Sequence, residues 1–203
     1  MHIRFSILVL AVALSGLTAC SGSQPAGDGA KPAAKPDAAA PSGASAPKAT
    51  SDDVPAPVKA VFASAQSVTT EHKALTDEQV AAVEKDTGTK IADRDHHTYI
   101  AYETGSGARK QIGAATVVKA SGAELVIVYD SRNGLPMIRE VRATGVDEAF
   151  LAQFKNKGHD DAIAVGKDIK AAGVDEATAK AIADAVRQDS HVMQALYGKA
   201  HSH

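Results

Sequence analysis

The 203-residue sequence has a single cysteine and no tryptophan, and its formal net charge is only −2. One cysteine cannot build a disulfide framework within the chain. A nearly neutral chain without a basic patch excludes nucleic acid as an expected partner. The sequence also has no Gly-x-Ser-x-Gly, Cys-x-x-Cys, His-Glu-x-x-His or P-loop motif. The common nucleophilic, zinc-dependent and nucleotide-hydrolysing enzymes therefore have no support.

Close to the N-terminus, the apolar stretch from Phe5 to Leu14 is too short to span a bilayer, which takes about 20 residues. It follows Arg4 and precedes a Leu-Thr-Ala-Cys sequence at residues 17–20. This arrangement predicts a secretory signal peptide at residues 1–19. The ending resembles a bacterial lipobox, which implies that Cys20 becomes an acylated N-terminus and anchors the chain in a membrane.

Ser21 follows the expected lipid anchor. In Gram-negative lipoproteins a serine at this position implies sorting to the outer membrane, facing the periplasm. Residues 20–57 are rich in Ala, Pro, Ser, Gly and Lys and have almost no large apolar side chains. Such a segment cannot bury enough apolar surface to offset the entropy of ordering. We therefore expect a disordered linker at 20–57 and a folded domain at 58–203.

Residues 58–203 show helical periodicity, then alternation, then helical periodicity again. Pro57 and the Thr76/Gln79 capping box predict two helices before the sheet. Alternating patterns predict strands at 95–103, 110–119, 124–130 and 137–143, with a hairpin turn at Asn133-Gly134. Asp147 is predicted to cap a helix from 148 to about 157, and Asp175 to cap the last long helix, with a final turn or two at 192–197. The domain is therefore predicted to be α+β, an antiparallel meander sheet flanked by helices.

Four segments, taken in order, resemble the bacterial FMN-binding domain family, which includes the G subunit of the Rnf electron-transport complex and the C subunit of the sodium-translocating NADH:quinone reductase. They are the helix region at 75–90, the strands at 126–130 and 138–141, the sequence FLAQFKNK at 150–157, and VGKDI at 165–169 followed by a helix that ends Ala-Val-Arg at 185–187. The resemblance implies electron transfer at the cell envelope, with FMN as cofactor and a redox or transport protein as partner.

The family's flavin site is a D-x-x-(S/T)-G-A-(T/S) motif at a helix N-terminus, where FMN phosphate esterifies the last hydroxyl. Aligned through residues 185–187, the motif falls on Gly173, Val174, Asp175 and Glu176, and its aspartate position on Lys170. Glu176 has no hydroxyl, and Thr178 lies two residues beyond it. The resemblance thus gives the following expected FMN-binding residues: Lys167, Asp168, Lys170, Gly173, Val174, Asp175, Glu176 and Thr178. Because Asp175 and Glu176 would repel a phosphate, we expect no covalent FMN.

Three readings of the function stay open. In the first, the domain holds FMN noncovalently and passes electrons, with Lys167 and Lys170 near the phosphate. In the second, the domain is a flavin-free adaptor or interaction lipoprotein that kept the fold. In the third, histidines bind a metal. His96 and His97 are adjacent on a predicted strand, so their side chains should face opposite sides and not share an ion. We assign no metal ligands from the sequence, and the residues favour an electron carrier or binding module over a catalyst.

Overall fold

The computed structural model describes residues 53–105 and 107–199. The predicted signal peptide, Cys20 and nearly all of the predicted linker lie outside the described residues, as do His201 and His203. Among the described residues, no helix combines the length and hydropathy of a membrane span.

A five-stranded antiparallel sheet forms the centre of the domain, with its strands in sequence order. The strands are β1 (Ser67–Ala74), β2 (Asp95–Gly105), β3 (Ala108–Ala120), β4 (Ala123–Arg132) and β5 (Leu135–Ala143). Asn133 and Gly134 both have positive φ, 56° and 85°, so the predicted tight turn joins β4 and β5. The predicted α+β meander is confirmed.

The first strand was not among those predicted. β1 has the sequence SVTTEHKA, in which no clear apolar alternation marks one face as buried. It exists because β2 offers it a hydrogen-bonding edge along its full length, from Ser67 opposite Tyr102 to Ala74 opposite Asp95. This pairing joins residues 21 to 35 positions apart, which a local pattern cannot show.

Two helices precede the last four strands, as predicted. α1 (Ala56–Val61) has proline in its first turn, where the missing N–H costs no hydrogen bond. α2 (Asp77–Thr87) begins with the reciprocal Thr76/Gln79 capping box and ends at Gly88, which is left-handed with φ 70°.

The helix predicted from 148 to about 157 is shorter than expected. α3 (Glu148–Leu151) continues only as a 3-10 turn at Ala152–Phe154. Asn156 then takes a positive φ of 64°, and the chain turns so that Asn156 N–H donates to Ile138 O while Ile138 N–H donates to Lys157 O. This segment therefore pairs with one point on the outer edge of β5, and that pairing stops the helix.

The final helix is longer than expected. α4 (Glu176–Tyr197) runs for 22 residues without the predicted interruption before 192. Its buried positions include Ile182, Val186 and Met193, which form one stripe at helical spacing. Packing of this stripe against the sheet holds the helix together over its whole length.

Two cores cover the two faces of the sheet. The larger core lies between the sheet and α4, α3 and the loop that follows, and its largest fully buried side chains include Phe150, Phe154 and Ile163. The smaller core lies on the opposite face, where Val54, Val58 and Phe62 pack on β2, β3 and β4. Because α1 is only six residues long, much of that face beyond it faces solvent.

Candidate functional site

The residues expected to hold FMN lie around the N-terminus of α4. A hollow of about 470 Å³ opens there, between the β3–β4 turn at 121–123, the β5–α3 connection at 144–146 and the start of α4. We call this hollow the α4 corner. Four of the eight expected residues line it: Gly173, Val174, Asp175 and Thr178. Among the described residues, Lys167, Asp168, Lys170 and Glu176 are not part of its lining.

Asp168 organises the connection between α3 and α4. Its carboxylate accepts the backbone N–H groups of Ile163 and Ala164 and pairs with Lys157 Nζ at 2.9 Å. Burial raises the pKa of Asp168, but the Ala164 N–H and the Lys157 ammonium outweigh burial and hold this pKa below its usual value. The carboxylate therefore holds this loop in place.

The two lysines suggested for the phosphate are exposed on the same connection. The backbone of Lys170 is fixed by Gln153, whose side chain accepts from Lys170 N–H at 2.8 Å and donates to Lys170 O at 2.9 Å. The backbone of Lys167 turns back onto Ala164. This geometry connects FLAQFKNK with VGKDI, because Lys157 of the first segment pairs with Asp168 of the second and Gln153 binds Lys170 directly after it.

Carboxylates already occupy the helix starts at the α4 corner. Asp175 accepts Thr178 N–H at 2.9 Å, and Asp147 accepts the N–H groups of Ala149 and Phe150. Hydrogen bonds from Thr178, side chain and backbone, hold the pKa of Asp175 below its usual value. The Asp147 carboxylate also lies against Gly173, since a Cβ there would be 2.5 Å from it.

This charge distribution does not fit a phosphate. At the start of α4, Asp175 already accepts the Thr178 N–H that an anion could use, and the Asp147 and Asp175 carboxylates would both repel a dianion. Thr178 Oγ1 is 3.1 Å from Ser121 Oγ across the corner, so the hydroxyl two residues beyond Glu176 already has a partner. That FMN is not covalently attached therefore stays a prediction, and these contacts give it a physical reason.

A larger groove runs beside β5, with a volume of about 1010 Å³. One wall is β5 from Arg139 to Ala143, and the other walls come from α1 and from the α3 region. Its charged lining is balanced between three basic and three acidic residues: Arg139, Arg142, Lys155, Glu124, Glu140 and Glu148. We call this hollow the β5 groove. Sequence patterns do not reveal this groove, because it forms between elements that are distant in sequence.

A buried polar cluster links α4 to the sheet. Asp189 is 4% exposed, and its Oδ2 accepts the hydroxyls of Thr116 at 2.6 Å and Tyr129 at 2.7 Å. His96 Nε2 lies 3.8 Å from the other carboxylate oxygen. We call these four residues the Asp189 cluster. A sequence signal existed, because Asp189 falls on the buried stripe of α4 three residues after Val186.

Comparisons with protein-family models, with curated proteins and with solved structures gave no match for this chain. The resemblance to FMN-binding domains therefore stays a prediction that rests on the quoted segments and on the order of elements.

Proposed function

We propose that this chain is a lipid-anchored protein of the cell envelope whose domain works as a binding or adaptor module. The observation that carries this proposal is the α4 corner, where Asp175 caps the helix start that the resemblance assigns to FMN phosphate and the Asp147 carboxylate lies against Gly173. A scaffold can persist after its site has changed. In this proposal the domain keeps the α+β fold and acts through contact with another envelope protein.

The β5 groove supports a polypeptide as the occupant. β5 is an edge strand of the sheet, and the 156–157 segment pairs with it only at Ile138 among the described backbone contacts. Edge strands accept extended peptides through main-chain hydrogen bonds. The balanced charges along the groove suit a mixed peptide better than a dianionic cofactor. The occupant we propose is an extended segment of a second envelope protein.

Noncovalent FMN binding with electron transfer is the second candidate function. The observation that favours it is the order of elements, since the meander, the α3 region and α4 follow one another as the resemblance implies. In this alternative the flavin would lie away from the α4 corner, because the carboxylates there oppose its phosphate.

A flavin titration separates the two candidates. The full-length chain is purified from the envelope, its visible spectrum is recorded, and FMN is added while flavin fluorescence is followed. The adaptor proposal expects a colourless protein that does not quench FMN. Yellow protein, or saturable quenching that persists in Asp147→Asn and Asp175→Asn, would overturn it in favour of noncovalent flavin elsewhere in the domain.

Site-specific photo-crosslinking tests the groove itself. A photoreactive amino acid is placed at Arg142 or Lys155, both exposed in the β5 groove, and at Lys85 on α2 as an exposed control. The proposal expects one defined envelope protein to cross-link from 142 and 155 but not from 85. Equal labelling from all three positions, or cross-links only to residues 20–52 of the same chain, would refute the proposed occupant.

The proposed anchor is tested separately. Cys20→Ala should abolish incorporation of labelled palmitate and move the chain from the membrane fraction to the soluble periplasmic fraction. Cys20→Ala protein that remains acylated or membrane-bound would contradict the lipoprotein proposal. Density separation of the wild-type membranes then tests the expected outer-membrane location.

A further inference from the structure

Three potential metal ligands meet on the first two strands. His72 on β1 lies directly opposite His97 on β2 in the antiparallel register. Asp95 is two residues before His97 on β2, so strand alternation places it on the same face. This face is the one that α1 covers farther along the strands, and the three residues lie where it is exposed.

The three side chains are already close to one another. His97 Nε2 is 3.1 Å and His72 Nδ1 is 3.7 Å from the same oxygen of Asp95. The two imidazole rings lie 4.1 Å apart between centroids, tilted by 56°. One ligand atom from each residue fits within 4.8 Å of the other two. Tetrahedral zinc places its ligand atoms about 3.4 Å apart, given bonds of about 2.0–2.1 Å. Small rotations of exposed side chains close that difference.

The donor set is more specific than a group of surface acids. Imidazole nitrogen suits zinc, copper, nickel and iron, whereas magnesium and calcium prefer oxygen ligands. His96, the neighbour of His97, faces the opposite side of the sheet towards Asp189. It is therefore not part of the set, as the strand alternation predicts.

We propose that His72, Asp95 and His97 bind a divalent transition-metal ion of the Zn²⁺ class on the exposed face of β1 and β2. Three protein ligands leave at least one coordination position for water or for a side chain of a partner. The site is exposed, with side-chain exposures of 55%, 51% and 48%, so the ion exchanges with solvent. It lies at the opposite edge of the sheet from β5 and does not depend on the proposed adaptor function.

Calorimetric titration of the full-length chain with Zn²⁺ tests the proposal. Because His201 and His203 could bind metal by themselves, the titration is repeated in a His201→Gln/His203→Gln background. We expect one equivalent of Zn²⁺ in the His201→Gln/His203→Gln protein. His72→Gln and His97→Gln should each weaken binding at least about tenfold, and Asp95→Asn should weaken it less, since it keeps a carbonyl oxygen. Acidification should weaken binding, because protons compete for the imidazole nitrogens.

His96→Gln is the matched control, on the same strand but the opposite face, and should leave Zn²⁺ affinity unchanged. Broadening of amide signals by Cu²⁺ gives an independent readout that should centre on residues 72 and 95–97. Absence of Zn²⁺ binding, binding lost with the tail histidines, or binding unaffected by both His72→Gln and His97→Gln would each overturn the proposal. Circular dichroism of each variant confirms that the fold is kept.

Discussion

The Asp189 cluster gives a quantitative test of how α4 is held on the sheet. Thr116 and Tyr129 are almost fully buried, and both donate to one oxygen of Asp189. Thr116→Val and Tyr129→Phe each remove one donor with little change in shape. A hydrogen bond to a charged group contributes about 1.5–3 kcal/mol. We therefore expect each variant to lower the free energy of unfolding by about 2 kcal/mol.

The double variant tests whether the cost comes from the carboxylate. Without both hydroxyls, Asp189 keeps only His96 at 3.8 Å among its described polar neighbours. The double variant should therefore lose about 4 kcal/mol or more, as two bonds to one buried group are removed. Adding Asp189→Leu should then restore part of that loss, because an apolar side chain needs no partner in a buried site.

Urea unfolding followed by circular dichroism compares the four variants with the wild type. The expected losses are a large fraction of the 5–15 kcal/mol typical of a domain, so they are well resolved. Single variants that lose under about 0.5 kcal/mol would refute the reasoning, since that is the range of surface substitutions. Further destabilisation on adding Asp189→Leu would also refute it, because the unpaired carboxylate would then not be the source of the cost.

Two further predictions concern Tyr129 and Gly173. Burial, and then the neighbouring Asp189, raise the pKa of Tyr129 well above its usual value. The folded chain keeps a phenol proton that the unfolded chain loses above pH about 10, so this group's stabilisation is complete below that pH and falls by about 1.4 kcal/mol per pH unit above it. In alkaline urea, the free energy of unfolding should therefore fall more steeply with pH in the wild type than in Tyr129→Phe, by about 1.4 kcal/mol per pH unit. Equal slopes in the two proteins would contradict the assignment. Gly173 has φ 73°, and a Cβ there would meet the Asp147 carboxylate at 2.5 Å, whereas Gly145 has φ 78° and open space around it. Gly145→Ala should lower the free energy of unfolding by about 1–2 kcal/mol, because of the left-handed backbone alone. Gly173→Ala should lower it by more, because its Cβ also meets the carboxylate. Equal losses in urea unfolding would show that the carboxylate moves aside freely.

Local patterns were enough for most of the fold. The Thr76/Gln79 capping box, the Asn133-Gly134 turn and the caps at Asp147 and Asp175 all have the predicted roles. Each depends on residues a few positions apart, so the sequence carries the information directly. The predictions were wrong where contacts between residues distant in sequence determine the local structure. β1 exists through its pairing with β2, and α3 ends where Asn156 turns to meet Ile138.

Some features of the candidate site can likewise be predicted from the sequence, and others cannot. The mismatch at Glu176 and the acidic character of the α4 start are visible in the sequence. The position of Asp147 against Gly173 is not, because it joins two helix starts nearly 30 residues apart. The resemblance places Asp168 among the expected FMN-binding residues, whereas its contacts with Lys157 and the 163–164 backbone, which hold a loop, are visible only in the structure.

Composition and short-range patterns are enough to predict the anchor, the linker and the α+β class, and the lack of a hydroxyl at position 176 is read directly from the sequence. Which side chains meet depends on the tertiary structure. It brought His72 beside His97, placed Asp189 under two hydroxyls and opened a groove along β5. The physical reason is that strand register and helix packing are set by burial over the whole domain, and they bring together residues that no local period connects.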